Sequence, residues 1–336
     1  MMKPVIFGLS GPTLTPDERT FFAEAEPAGY ILFKRNIATR AQVRALTDSL
    51  RAVSGRDDVP ILIDQEGGRV ARMGPPEWPA FPAGPAFDAL YEVAPMSAIA
   101  AARANAEAIA LMLSEVGINV DCLPLLDVAQ PDTTEAISTR ALGSEPLRVA
   151  AMGRAMLDGL RRGGVVGVVK HMPGHGRAKV DTHYHLPTVT ASDEELEIDL
   201  RPFASLKDAP MGMTSHIVFE AWDNERPATL SPVVIERIIR QRIGFDGLLM
   251  TDDIDMKALS GSAGDKAASA IAAGCDLVLD CWGRMDEMTD IADRLGEISA
   301  LSRARLERAM ATVAGVHAGG DMAALIATRD QLLGLV

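Results

Sequence analysis

Short runs of apolar, often β-branched residues recur along the chain, separated by longer stretches in which apolar residues return every three or four positions. The short runs predict strands buried on both faces, and the longer stretches predict amphipathic helices that cover them. Eight runs are present: Pro4 to Leu9, Gly29 to Phe33, Pro60 to Asp64, Asn119 to Leu125, Val165 to Lys170, Met211 to His216, Gly247 to Asp252 and Asp276 to Asp280. Helical periodicity is clear over Arg40 to Val53, Ser97 to Val116, Leu147 to Arg162 and Pro232 to Arg242. Ser97 is the expected N-cap of the second, and Gly117, Gly163 and Gly244 stand at or near the C-terminal caps of the last three. After the eighth run, Met285 to Leu295, Arg303 to Val316 and a last stretch to Val336 predict the final barrel helix and a trailing helical cap.

Strand and helix alternating in this way predict an α/β fold: a single (β/α)8 TIM-type barrel with extra C-terminal helices. The length of 336 residues alone would allow two domains, but no Ser/Gly-rich or Pro-rich linker divides the chain. Residues 1–336 are therefore expected to form one domain, with the barrel over about 3–300 and a helical extension over about 301–336.

Composition narrows the function. Acidic residues number 46 against 33 Lys and Arg, a formal charge of −13, which opposes nonspecific attraction to nucleic acid or to an anionic membrane and favours a small-molecule partner. The N-terminal apolar run meets Gly8, Ser10, Gly11 and Pro12 before it reaches the length of a leader core or membrane span, so it is expected to be a strand. Cys122, Cys275 and Cys281, an odd number inside apolar segments, fit buried thiols in a reducing compartment, and a cytoplasmic monomer is the default expectation.

Several predicted strands end in polar or ionisable residues: Asp64, Asp127, Lys170-His171, His216, Asp252 and Asp280. In a (β/α)8 barrel the carboxyl ends of the strands form the active face, so such a ring reads as a binding cup. Four of the six histidines fall in Lys170-His171-Met172-Pro173-Gly174-His175-Gly176-Arg177-Ala178-Lys179-Val180-Asp181-Thr182-His183-Tyr184-His185, a Gly/Pro-rich loop following a strand. Two chemistries fit it. Asp181 can fix one ring nitrogen of His183 so that the other exchanges a proton with a leaving group; alternatively His183 and His185, with His171 or His216, can bind a divalent metal. Asp64-Gln65-Glu66-Gly67-Gly68-Arg69-Val70-Ala71-Arg72 offers a tight turn with acceptors and donors suited to sugar hydroxyls. In Thr251-Asp252-Asp253 an apolar strand ends in adjacent carboxylates, either of which could serve a metal; Asp252 is also placed to attack an anomeric carbon, and Asp253 to cap a helix.

Taken together, Lys170-His171-x-Pro173-Gly174-His175-Gly176 followed by Asp181-x-His183, Asp64 to Arg72, and Thr251-Asp252-Asp253 resemble the bacterial β-N-acetylglucosaminidases of glycoside hydrolase family 3, the NagZ type. The resemblance runs from the first strand to about the eighth. It implies a metal- and cofactor-free retaining glycosidase acting on terminal N-acetylglucosamine of peptidoglycan-derived muropeptides, in cell-wall recycling. It assigns Asp252 as nucleophile, His183 as general acid/base oriented by Asp181, and Asp64, Arg72, Arg140, Lys170 and His171 to an amino-sugar substrate. Asp253 becomes structural. Thr251 replaces the family's common serine, and the Arg177 to Val180 segment is more basic than expected. Many relatives carry a second αβα domain; the length here leads us to expect none, as in the histidine-dependent subgroup.

Overall fold

The computed structural model describes residues 1–180, 185–316 and 319–336. Eight parallel strands close into a barrel: β1 Lys3–Phe7, β2 Pro27–Leu32, β3 Ile61–Ile63, β4 Val120–Asp121, β5 Val166–Met172, β6 Met211–Thr214, β7 Leu248–Asp253 and β8 Leu277–Asp280. Each pairs with its sequence neighbours, and β8 returns to β1 through Val5↔Val278, Ile6↔Leu279 and Phe7↔Asp280. The eight-fold barrel read from the hydrophobic pattern is therefore the fold, and every predicted run overlaps one of its strands.

The largest shortfall is the fourth run, where regular pairing stops after Asp121 and resumes as a single bridge between Leu125 and Lys170. Pro124 lies between them and has no N–H to give a neighbouring strand. The expected Ser97 N-cap is also corrected: the helix begins at Pro95, with Ala94 as its N-cap. Proline fixes φ and needs no hydrogen bond at the first helical position, so it starts the helix two residues before the serine. The helix Pro16–Ala25 carried a clear start signal, since Thr15 and Glu18 form a reciprocal capping box around Pro16. Gly244 caps Val234–Ile243 in the left-handed region at φ 78°, where a Cβ would be strained.

Two hydrophobic clusters divide the molecule by strand periodicity. Leu62, Val166, Val168, Met211, Met213, Leu248, Met250, Leu277 and Leu279 belong to the barrel lumen, whereas their immediate neighbours Ile61, Ile63, Val169, Leu249 and Val278 pack outward against the helices. The helix Ala300–Ala311 closes the lumen from below: Leu306, Ala309 and Met310 are in the lumen cluster, and burying Leu306 and Met310 contributes about 1.5–3 kcal/mol each. The apolar helix Pro95–Glu115 has the length and composition to cross a bilayer, but it is mostly buried against Pro146–Arg162 and Met322–Leu333.

Candidate active site

Strand periodicity puts the chemistry at the rim. On β3 the lumen position after Leu62 is residue 64; on β5 it runs from Val166 and Val168 to 170; on β7 it runs from Leu248 and Met250 to 252. Asp64, Lys170 and Asp252 therefore replace the next apolar layer with polar groups. All three line one cleft at the carboxyl ends of the strands, together with Arg72, Arg140 and His171. Six of the eight residues assigned from sequence are thus brought together. The other two, Asp181 and His183, lie outside the described residues.

The cleft wall on the β3 to β5 side is an ion-pair lattice. Lys170 Nζ lies 2.7 Å from Glu66 Oε1 and 3.1 Å from Asp64 Oδ1. Arg140 clasps Glu66 with two contacts, Nε to Oε2 at 2.8 Å and an Nη to Oε1 at 2.6 Å. Arg72 donates to Asp64 Oδ2 at 2.8 Å, and its guanidinium stands over the Phe33 ring at 5.1 Å. Burial alone would raise the two carboxyls, but Lys170 and Arg72 hold Asp64 far below its usual range, and Arg140 and Lys170 bring Glu66 down to about 2. Burial likewise disfavours a charged Lys170, yet Glu66 and Asp64 keep it protonated well above its ordinary value. Three cations thus share two carboxylates, and of the three protons of Lys170 two are so engaged, leaving donor capacity for a ligand's hydroxyls.

His171 is set by Asp127. Asp127 Oδ2 accepts from His171 Nδ1 at 2.8 Å, and its Oδ1 accepts from the backbone N–H groups of His171 at 3.2 Å and His175 at 2.7 Å. With Nδ1 donating to a carboxylate, Nε2 is the nitrogen left to meet a ligand. Asp127 is fully buried, which alone would raise it, but His171 holds it down to about 2. The His175 ring lies edge-on to His171 at 5.5 Å, and burial, then the His171 charge, push it down to about 4.

Asp252 sits on the seam of the two sides. Its Oδ1 accepts the Asp253 backbone N–H at 2.8 Å. Burial would raise it, but His171, then the Asp253 N–H and Lys170, hold it below its usual value, so it is ionised at neutral pH. Asp253, one residue on, turns toward β8, where its Oδ1 accepts the Cys281 N–H at 3.3 Å, and is pushed up to about 7 by burial and then by the charge of Asp252. Adjacent carboxyls with separated pKa values can do different work.

Glu66, Asp127 and His175 were visible as members of motifs or strand ends, but no role separated them from their neighbours, and His216 was singled out only as a candidate metal ligand. The signal available was position: Glu66 stands two residues beyond Asp64, and His171 and His175 straddle the carboxyl end of β5. The sequence-level metal alternative drew on His171 or His216. His171 Nδ1 is held by Asp127, His216 meets Thr229 Oγ1 at 2.7 Å and the Asp253 carbonyl at 2.9 Å, His185 is exposed, and among the described residues no three His, Cys, Asp or Glu side chains are grouped to hold an ion.

The cleft holds about 200 Å³ of open space, the scale of one sugar ring and below that of a drug-sized site. Past Asp252 and Arg72 it adjoins a hollow of about 290 Å³ walled by Phe33, Met256, Leu279 and Trp282.

Comparison with known proteins agrees with this geometry. Residues 12–316 match the glycosyl hydrolase family 3 N terminal domain. The chain is 37% identical over 281 residues to a beta-hexosaminidase of Methylococcus capsulatus, covering 82% of each chain, and 35% identical over 335 residues to one of Chromobacterium violaceum, covering 97% of this chain and 91% of that one. NagZ from Neisseria gonorrhoeae, solved in complex with N-trifluoroacetyl-D-glucosamine, superposes with a TM-score of 0.87 at 28% identity, over 99% of this chain and 98% of that one. A closed eight-stranded barrel, a rim of paired charges beside an ionised strand-end aspartate, and these likenesses make the chain a member of glycoside hydrolase family 3, a glycoside hydrolase of the beta-hexosaminidase, NagZ type.

Proposed function

We propose that the enzyme is a retaining exo-β-N-acetylglucosaminidase that releases terminal N-acetylglucosamine from N-acetylglucosaminyl-anhydro-N-acetylmuramic acid muropeptides through a covalent glycosyl-enzyme. The observation that carries this reading is the position of Asp252: an ionised carboxylate at the end of a lumen row, one oxygen engaged by a backbone N–H, beside a cleft of the size of a sugar ring. The other oxygen attacks C1 as the bond from C1 to the leaving oxygen breaks. Protonated His183, oriented by Asp181, gives that oxygen its proton. Neutral His183 then takes a proton from water, whose oxygen attacks C1 and releases Asp252, so the configuration is retained.

Asp64, Arg72, Arg140, Lys170 and His171 bind the ring hydroxyls. The ion pairs among them fix donor directions before the sugar arrives, which lowers the entropy cost of binding. The N-acyl preference draws on the N-trifluoroacetyl-D-glucosamine held by the gonococcal relative. The adjoining hollow beside Phe33 and Trp282 gives a substituent or leaving group room. No metal or cofactor enters the chemistry, since each proton and bond is handled by side chains. A cytoplasmic monomer engaged in cell-wall recycling is the setting we propose.

The test is hydrolysis of 4-nitrophenyl N-acetyl-β-glucosaminide and of the muropeptide by wild type and by Asp252→Ala, each with and without EDTA, beside the β-glucoside. Activity that needs Asp252, resists EDTA and prefers the N-acetyl sugar supports the reading. Activity lost to EDTA, or retained by Asp252→Ala, rejects it.

A further inference from the structure

Behind the Asp252 carboxylate lies a chain of buried hydrogen bonds that reaches no ligand surface. It begins where β6 ends. His216 is fully buried, and its Nε2 lies 2.9 Å from the backbone carbonyl of Asp253. A carbonyl oxygen can only accept, so Nε2 carries the proton. The other nitrogen, Nδ1, lies 2.7 Å from Thr229 Oγ1, which in turn is 2.8 Å from Thr214 Oγ1. The Thr229 hydroxyl has one proton and two acceptors within reach, His216 Nδ1 at 2.7 Å and the Ser215 carbonyl at 3.0 Å; burial lowers the His216 pKa, and against a neutral ring the hydroxyl gives its proton to Nδ1, the shorter contact. Thr214, His216 and Thr229 all have no exposed surface. The ring is thereby fixed from both ends.

The peptide it holds is the one following the nucleophile. Asp253 donates its N–H to Asp252 Oδ1 at 2.8 Å and offers its carbonyl to His216. The next N–H, that of Ile254, binds the Leu279 carbonyl at 3.0 Å, and Asp253 Oδ1 accepts from the N–H of Cys281 at 3.3 Å and of Asp255 at 3.2 Å. The Asp252-Asp253 segment is thus suspended between β6 on one side and β8 on the other. On the β8 side the pairing of Asp253 with Leu279 and the Ile254 N–H to Leu279 carbonyl bond hold it, whereas on the β6 side regular pairing ends at Met250 with Met213 and, among the described residues, the His216 ring makes the next contact.

We propose that His216 is a positioning residue for the glycosidase reaction: as a neutral donor, it holds the Asp253 peptide so that its N–H keeps the Asp252 carboxylate oriented for attack on C1. The inference rests on Asp252 being the nucleophile. It places His216 outside the sugar site, so its loss acts on the rate of glycosylation and on the acidity of Asp252, and leaves sugar binding unchanged. A glutamine can mimic an imidazole Nε2–H, since its amide reaches about as far; an asparagine is shorter and reaches only where Nδ1 stood. An error of about 1 Å at a nucleophile costs on the order of 100-fold in rate.

The experiment compares wild type, His216→Gln, His216→Asn, Thr229→Val and Asp252→Ala on 4-nitrophenyl N-acetyl-β-glucosaminide, with thermal melts and pH profiles of kcat/KM. Expected are a kcat loss of about 100-fold in His216→Asn with KM within about two-fold of wild type, recovery of most of that loss in His216→Gln, and a smaller loss in Thr229→Val. The acidic limb of the profile should move upward in His216→Asn and return in His216→Gln, because a loosened N–H stabilises the Asp252 anion less. Wild-type kcat in His216→Asn, equal losses in the Gln and Asn variants, or a loss confined to KM would overturn the proposal. If His216→Asn does not fold, Thr229→Val and His216→Gln decide it: an unchanged kcat and acidic limb in Thr229→Val sinks it. Activity in Asp252→Ala instead refutes the underlying nucleophile assignment and is read separately.

Discussion

The rim of the barrel has two halves built from the same residue types with opposite electrostatic outcomes. Around β3 to β5, Asp64, Glu66 and Asp127 are enclosed by protein, yet their carboxyls lie far below the usual range or near 2, because Lys170, Arg72, Arg140 and His171 stand against them. Around β7 and β8, Asp253 and Asp280 are enclosed too, but they rise to about 7 and about 8. Neither oxygen of Asp280 meets a hydrogen-bond donor among the described residues, and its charged neighbours Asp253, Glu287 and Asp255 are mostly of like sign, with Arg284 the countering one. Burial is common to both halves; the partner decides the sign. The charged half can grip polar hydroxyls, and the near-neutral half can support a single anion, Asp252, without competing with it.

The sharpest way to break the contrast is to remove that anion. Asp252→Ala should lower turnover by at least about 10³-fold with an unchanged melting profile, measured by steady-state hydrolysis and circular dichroism. Next in size, His183→Ala should cost about 10²–10⁴-fold on the muropeptide, where the leaving oxygen needs a proton, and far less on activated aryl glycosides. Losses of equal size on both substrate classes would make His183 structural.

In the charged half, Glu66→Ala strips Arg140 of its carboxylate and leaves Lys170 with Asp64 alone, which should cost about 3–5 kcal/mol of stability in urea titrations and raise KM more than it lowers kcat. Because the folded pKa of Glu66 is depressed from 4.5 to about 2, its stabilising contribution is present above about 4.5 and is lost as pH falls toward 2. Glu66→Ala should therefore lack that acid-limb dependence. The smallest effect belongs to Asp280→Asn. A folded pKa raised from 3.8 to about 8 means that stability is fully present below 3.8 and is lost as pH rises through 8. The neutral amide removes that loss, so the variant should gain stability relative to wild type as pH rises from 5 to 8, read from denaturant midpoints at the two values. A variant equally stable relative to wild type at both pH values would show that Asp280 is ionised in the fold.

The hydrophobic pattern alone determined the eight strands, because residues buried on both faces must be apolar and the helices that cover them must be amphipathic. It also determined that Asp64, Lys170 and Asp252 meet, since each extends a lumen row by one step of period two. Arg140 was assigned only through the family resemblance, because it enters from the loop after β4 and nothing local ties it to Glu66, 74 residues away. Only the tertiary structure decided which carboxylates are charged. Asp252 and Asp253 are adjacent and identical in type, yet the pleat sends one toward His171 and Lys170 and the other away from them. Likewise nothing in the sequence joins His216 to Asp253, because a contact 37 residues apart is created by two neighbouring strands ending at the same height. Periodicity reads faces within one element, whereas pKa values and hydrogen-bond partners depend on distances between elements, which exist once the barrel has closed.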